Sequence, residues 1–129
     1  MKHEAITEKI IAAFYKVYNA LGYGFLEKVY ENALYIELAA IGLDVQKQKR
    51  TLVYYYEHVV GDYYADLLVN DLVVIELKAN EFVNEANEHQ LVNYLKATEM
   101  EVGLLLNFGK KPEIKRKIFD NNKKRMLPG

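Results

Sequence analysis

The sequence has no cysteine among its 129 residues. That excludes a disulfide framework, a thiol nucleophile and a cysteine-ligated zinc or iron–sulfur centre. It also fits a reducing, cytoplasmic setting. No apolar run approaches the roughly 18 residues of a membrane span. The first residues, Met1-Lys2-His3-Glu4, lack the basic-then-apolar pattern of a signal peptide, so no leader is expected. Internal repeats, low-complexity tracts and linkers are missing too. Neither sign of charge dominates, with 17 Lys and Arg against 18 Asp and Glu and a net charge of −1. Bulk electrostatics therefore do not announce a nucleic-acid binder.

What is present is an ordinary globular balance, 51% hydrophobic and 27% charged. A disordered tail, a collagen and a repeat array are excluded. The length suits one domain, residues 1–129, with one core. The charge is unevenly placed. Residues 110–129 hold eight Lys and Arg against two acids, and the remainder holds nine against sixteen. A basic C-terminal segment on an acidic body suits an anionic partner on one side, or is simply a solvated, frayed end.

Hydrophobic spacing gives the element order. Ile6, Ile10, Ala13, Phe14, Val17 and Leu21 recur at helical steps, and Gly22 and Gly24 break the pattern. A second helix is expected from about Phe25 to Ile41. From Val45 the period becomes two, with dense β-branched and aromatic residues. Strands are expected over Val45–Tyr56, Tyr63–Val69 and Val73–Ala79, with a turn at Gly61-Asp62 and a hairpin at Asn70-Asp71. Helical spacing returns over Asn84–Thr98. Val102–Phe108 reads as a buried strand. Pro112 opens the last basic segment, in which Ile114–Phe119 fits strand or helix. The order is α-α-β-β-β-α-β plus one undecided element, an α/β mixed sheet flanked by helices.

Three charges stand out. Asp66 lies within Ala65-Asp66-Leu67-Leu68-Val69, and Glu76 and Lys78 lie within Val73-Val74-Ile75-Glu76-Leu77-Lys78. A charge in such an apolar strand is costly. Glu76 and Lys78 are two apart and share one strand face. Either that face meets solvent and the pair is a rim ion pair, or two carboxylates and an ammonium converge on a hard-cation site.

The pattern Asp66…Glu76-x-Lys78 resembles the signature of the PD-(D/E)XK nuclease superfamily, with Ala65 where the proline would stand. Gly24-Phe-Leu-Glu27-Lys-Val-Tyr30 resembles the Gly-x-x-Glu-x-x-Tyr element that names a family of small bacterial proteins within it. Gln90-Leu-Val-Asn-Tyr94 resembles the Gln-x-x-x-Tyr helix of the RecB-like branch. Gly103-Leu-Leu-Leu-Asn107-Phe108-Gly109 is similar to the family's late strand. The likeness covers roughly residues 5–119; the three-residue signature alone is weak, but four pieces in order are specific.

The resemblance implies a restriction-endonuclease-like core and a metal-dependent phosphodiesterase acting on DNA or RNA. It implies Asp66, Glu76, the Leu77 carbonyl and Glu27 as ligands of Mg²⁺ or Mn²⁺. Lys78 would orient the attacking water, and Gln90 and Tyr94 would meet the site or the scissile phosphate. Read without it, Glu27 is a surface helix acid, Tyr30 a core aromatic, and Gln90 with Tyr94 an ordinary amphipathic helix. A catalytically inactive module of the same fold, binding nucleic acid or a protein, is the alternative. Targeting is left to a protein partner or a homodimer.

Other candidates are weaker. Tyr54-Tyr55-Tyr56 and Tyr63-Tyr64 could stack bases, but tyrosine is also a common strand former. His3, His58 and His89 lack metal-ligand spacing. Gly22-Tyr23-Gly24 lacks the context of a phosphate loop and reads as a turn. The C-terminal lysines and arginines are candidate phosphate contacts.

A metal site makes one geometric demand. A two-residue Asn70-Asp71 loop would pair Val69 with Leu72 and turn Glu76 away from Asp66. Both acids face one side only if the loop has three residues, Asn70-Asp71-Leu72, or carries a bulge.

Overall fold

The computed structural model describes residues 2–125. Residues 126–129, the end of the expected basic segment, lie outside them. The elements run α1 (Glu4–Leu21), α2 (Glu27–Ala40), β1 (Val45–Tyr55), β2 (His58–Val69), β3 (Val73–Lys78), α3 (Glu85–Ala97), β4 (Val102–Phe108) and β5 (Pro112–Ile118), before a short 3₁₀ turn, Asn121–Lys123.

The sheet order is β1-β2-β3-β4-β5. Only β3 and β4 are parallel; the other pairs are antiparallel. A parallel pair needs a crossover, and α3 supplies it. The helical stripe of α1 buries Ile10, Ala13, Phe14 and Val17. With Tyr30, Leu34 and Leu38 of α2 they cover one sheet face, formed by Leu67, Ile75, Leu77, Leu104 and Leu106. Leu91, Tyr94 and Leu95 of α3 cover Leu68, Val74 and Leu105 on the other. The central strands are therefore buried on both faces, and β4 is buried throughout. Asn84 starts α3 with a capping box, accepting from the Asn87 amide at 2.9 Å.

Two expectations change. The first hairpin does not turn at Gly61-Asp62. It turns at Tyr56-Glu57, and β2 runs through both residues. Tyr56 takes the left-handed conformation the turn needs, φ 53°. Gly61 serves instead as a strand glycine beside a register shift, where a Cβ would come within 3.1 Å of Val53 and Tyr63. The undecided last element is a strand: β5 pairs antiparallel with β4 from Phe108↔Pro112 to Val102↔Ile118. Pro112 is its first residue, where a missing N–H is tolerated.

The second hairpin meets the metal site's demand. Asn70 and Asp71 both have φ 53°, and the Leu72 amide donates to the Val69 carbonyl at 2.9 Å. That is a type I′ turn. Leu72 is then one residue in excess, and the ladder begins at Val69↔Val73 and continues through Leu68↔Val74 to Leu67↔Ile75. Asp66 and Glu76 are the next residues of the two strands, just past the last paired rung.

Candidate metal centre

The ladder between β2 and β3 stops at Leu67↔Ile75, although both strands continue. Beyond it the strands fork, and the fork holds the acids. Leu67 packs with the α1/α2 layer, but Ala65, two residues away, packs with the α3 layer. In a regular strand they would share a face. The alternation therefore slips at Asp66. Its cross-strand neighbour on β1, Gln48, has φ 51° in the middle of a strand. The Asp66 carboxylate consequently turns along the sheet, and its Oδ2 accepts from the Leu77 amide at 2.7 Å. The side chain takes the place of the missing strand partner.

Glu76 is 5% exposed. Burial, reinforced by the charge of Asp66 and opposed by Lys78, raises its pKa to about 9. Asp66 is also raised, by burial first, against the stabilising Leu77 hydrogen bond. Two carboxylates at such a site cannot both ionise cheaply, so they titrate as a pair that retains a proton near neutrality.

Glu27 opens α2 at the rim of the fork. Partial desolvation raises its pKa, and it feels Lys78, Asp66 and Glu31. Its placement follows from Tyr30. That ring is fully buried and stacks on Phe108 at 4.2 Å, as a core aromatic should. Its hydroxyl also donates to the Gly22 carbonyl at 2.7 Å and accepts from the Phe25 amide at 3.2 Å. The Gly-x-x-Glu-x-x-Tyr segment thus fastens its own loop and delivers Glu27 to the rim.

Tyr94 reaches the site from α3. Its hydroxyl meets Thr51 Oγ1 at 3.3 Å and Lys49 carbonyl oxygen at 3.5 Å. Burial, with a contribution from Glu76, raises its pKa. Gln90, one turn earlier, is exposed and makes no hydrogen bond among the described residues. Lys78, half-buried, interacts electrostatically with Glu76, Asp66 and Glu27.

The structure adds two residues that the sequence reading passed over. Glu31 is 4% exposed. Gln48 donates to Glu31 Oε1 at 2.7 Å and reaches Asp66 Oδ1 at 3.5 Å. Lys28 holds the other Glu31 oxygen at 2.8 Å. Glu31 lies four residues from Glu27, on the same helix face, and that spacing was the available signal. Gln48 gave none.

Among the described residues, no group of three His, Cys, Asp or Glu side chains is arranged as it stands to hold a metal ion. The donor types nevertheless fit a hard divalent cation: carboxylate oxygens from three elements, beside a main-chain carbonyl. Burial raises the pKa of both Asp66 and Glu76, and a cation bound between them would lower both again.

A family model for the PD-(D/E)XK nuclease superfamily matches residues 4–117. The chain belongs to that superfamily. No curated protein and no solved structure matches it. Among the described residues no helix is long and apolar enough to cross a membrane.

Proposed function

We propose that the protein is a divalent-metal-dependent nuclease that hydrolyses phosphodiester bonds in DNA or RNA, a member of the Gly-x-x-Glu-x-x-Tyr group in the RecB-like branch. The observation that supports this reading is the strand fork beyond Leu67↔Ile75, where Asp66 accepts from the Leu77 amide beside buried Glu76. Asp66, Glu76, the Leu77 carbonyl and Glu27 would hold Mg²⁺ or Mn²⁺. A bound divalent ion supplies Lewis-acid activation of water and neutralises charge on the phosphate oxygens.

The chain's own groups do the rest. The Leu77 amide fixes the Asp66 carboxylate, and Gln48 steadies it from β1. Lys78 orients the attacking water and offsets charge that grows in the transition state. Tyr94, held by Thr51, lines the wall on the α3 side, and exposed Gln90 is free to meet a scissile phosphate. Targeting falls to a protein partner or a second copy, and a cysteine-free chain suits the cytoplasm.

The test is a cleavage assay on single- and double-stranded DNA and RNA with Mg²⁺, Mn²⁺ or EDTA, repeated with Glu76→Gln. Cleavage that needs metal and Glu76 supports the reading. No cleavage of any substrate, or cleavage indifferent to EDTA, contradicts it.

A further inference from the structure

A cavity of about 160 Å³ opens where β3 and β4 end side by side. Carboxyl ends of parallel strands are the usual place for a ligand crevice in open α/β sheets. That is room for several waters or for a small planar ring. Tyr23, Phe108, Asn80, Glu81 and Lys110 line it. It adjoins the acid site through two elements: Ala79 follows Lys78, and Gly24 precedes Glu27 by three residues.

The walls are prebuilt. Tyr30 fastens the Gly22–Phe25 loop at both ends. Asn107, fully buried, grips both the amide and the carbonyl of Asn80 at 3.0 Å. The single Tyr18 hydroxyl hydrogen is shared between the carbonyls of Gly109 and Lys110, at 2.8 and 2.7 Å. Gly109 leaves no room for a side chain, since a Cβ would sit 2.5 Å from the Asn80 carbonyl oxygen. Two buried side chains, Tyr30 and Asn107, and the partly buried Tyr18 thus hold open a space that the protein does not fill. Tyr23 stands over it 57% exposed, with no aromatic partner of its own among the described residues.

We infer that this cavity receives an unpaired nucleobase next to the scissile phosphate, with Tyr23 as the stacking platform, so that the substrate is a single strand or a frayed end. The inference rests on the nuclease reading and adds its substrate class. A paired base would first have to leave its stack, which costs free energy. A single strand offers its ring faces without that cost, and stacking on an aromatic side chain accepts any base. Lys110 supplies a cation for the adjoining phosphate. Glu81 opposes a phosphate in the cavity but suits a ring that bears N–H donors.

The test uses short DNA and RNA oligonucleotides carrying 2-aminopurine, as single strands and as duplexes, with wild type, Tyr23→Ala and Tyr23→Phe in EDTA. Tyr23 is exposed, so both variants should fold. Wild type should quench the single strands and bind duplex at least about tenfold more weakly. Tyr23→Ala should lose about tenfold in affinity and most of the quenching, and Tyr23→Phe should restore both. Equal binding of duplex and single strand, absence of quenching, or a Tyr23→Ala variant that binds as wild type overturns the inference. Cleavage measured on the same proteins separates the two claims. Tyr23-independent cleavage of duplex removes the base pocket and leaves the nuclease. Tyr23-dependent binding without cleavage removes the nuclease and leaves the pocket.

Discussion

Glu76 sits where a carboxylate costs most, and its proton makes that cost measurable. Its pKa rises from an ordinary 4.5 to about 9. Below pH about 4.5 the folded and unfolded chains both hold the proton, and the residue costs nothing. Between there and about 9 only the folded chain keeps it, so stability falls as pH rises through that window. Asp66 is shifted in the same direction and adds to the slope. Glu76→Gln should therefore stabilise the metal-free protein at neutral pH and flatten its pH dependence in urea denaturation; parallel curves for the two proteins would refute the assignment. Mg²⁺ should raise the wild-type melting temperature by binding linkage and do so less for Glu76→Gln. Equal shifts would place the cation elsewhere. Asn107 makes a separate claim. Asn107→Leu would strand the Asn80 amide and carbonyl, for a loss of about 2–4 kcal/mol in urea unfolding. Asp66, Glu76 and Lys78 were legible because apolar neighbours make a strand charge conspicuous. Glu31 and Gln48 were not, because a polar residue on an amphipathic helix or an alternating strand looks solvent-facing; the fold buries Glu31 and turns the exposed Gln48 onto it.

At the scale of elements, one extra loop residue sets the site. Leu72 displaces the ladder by one position, so that Asp66 and Glu76 both follow its last rung, Leu67↔Ile75. That could be reasoned from the sequence, because strand alternation converts a demand on two side chains into a demand on loop length. The first hairpin could not be read in the same way. Gly61-Asp62 has turn composition, yet Tyr56 supplies the turn and Gly61 relieves crowding in β2. A glycine reports freedom or close approach, and local sequence does not say which. The turn also yields a prediction. Asp71 has φ 53°, and its side chain makes only an exposed hydrogen bond from Gln46 at 3.3 Å. Asn-Gly is the favoured type I′ pair. Asp71→Gly should raise stability by up to about 1 kcal/mol, whereas Asp71→Val should lower it by about 1–2 kcal/mol in thermal denaturation. The opposite order would mean that the turn is not type I′.

Across the whole molecule, the basic C-terminal segment divides in two. Lys117 pairs with Glu88 at 2.7 Å, Arg116 donates to the Lys2 carbonyl at 2.6 Å, and Lys124 donates to the Thr98 and Met100 carbonyls at 2.8 Å. These cations hold the fold together. Lys110, Lys111, Lys115, Lys123 and Arg125 remain exposed. Nucleic-acid affinity should therefore weaken with salt, and Lys111→Ala with Lys115→Ala should reduce the slope by about 0.7–0.9 per lost phosphate contact. Lys124→Ala should lower stability and leave the slope unchanged. An unaltered slope in the double variant would assign the nucleic acid to another face. Charge arithmetic located the basic segment, but only tertiary structure separates the cations it spends internally from those it presents.

The account stands most directly on Lys78, which is assigned to chemistry and not to metal binding. Lys78→Met keeps most of the aliphatic stem and removes the charge and the donors. Single-turnover cleavage by this variant, at metal and substrate concentrations that saturate both proteins, should fall by roughly 10²-fold or more, with the metal midpoint and substrate affinity little changed. Cleavage at the wild-type rate would show that Lys78 is only a charge on the face of β3 and that the proposed mechanism is wrong.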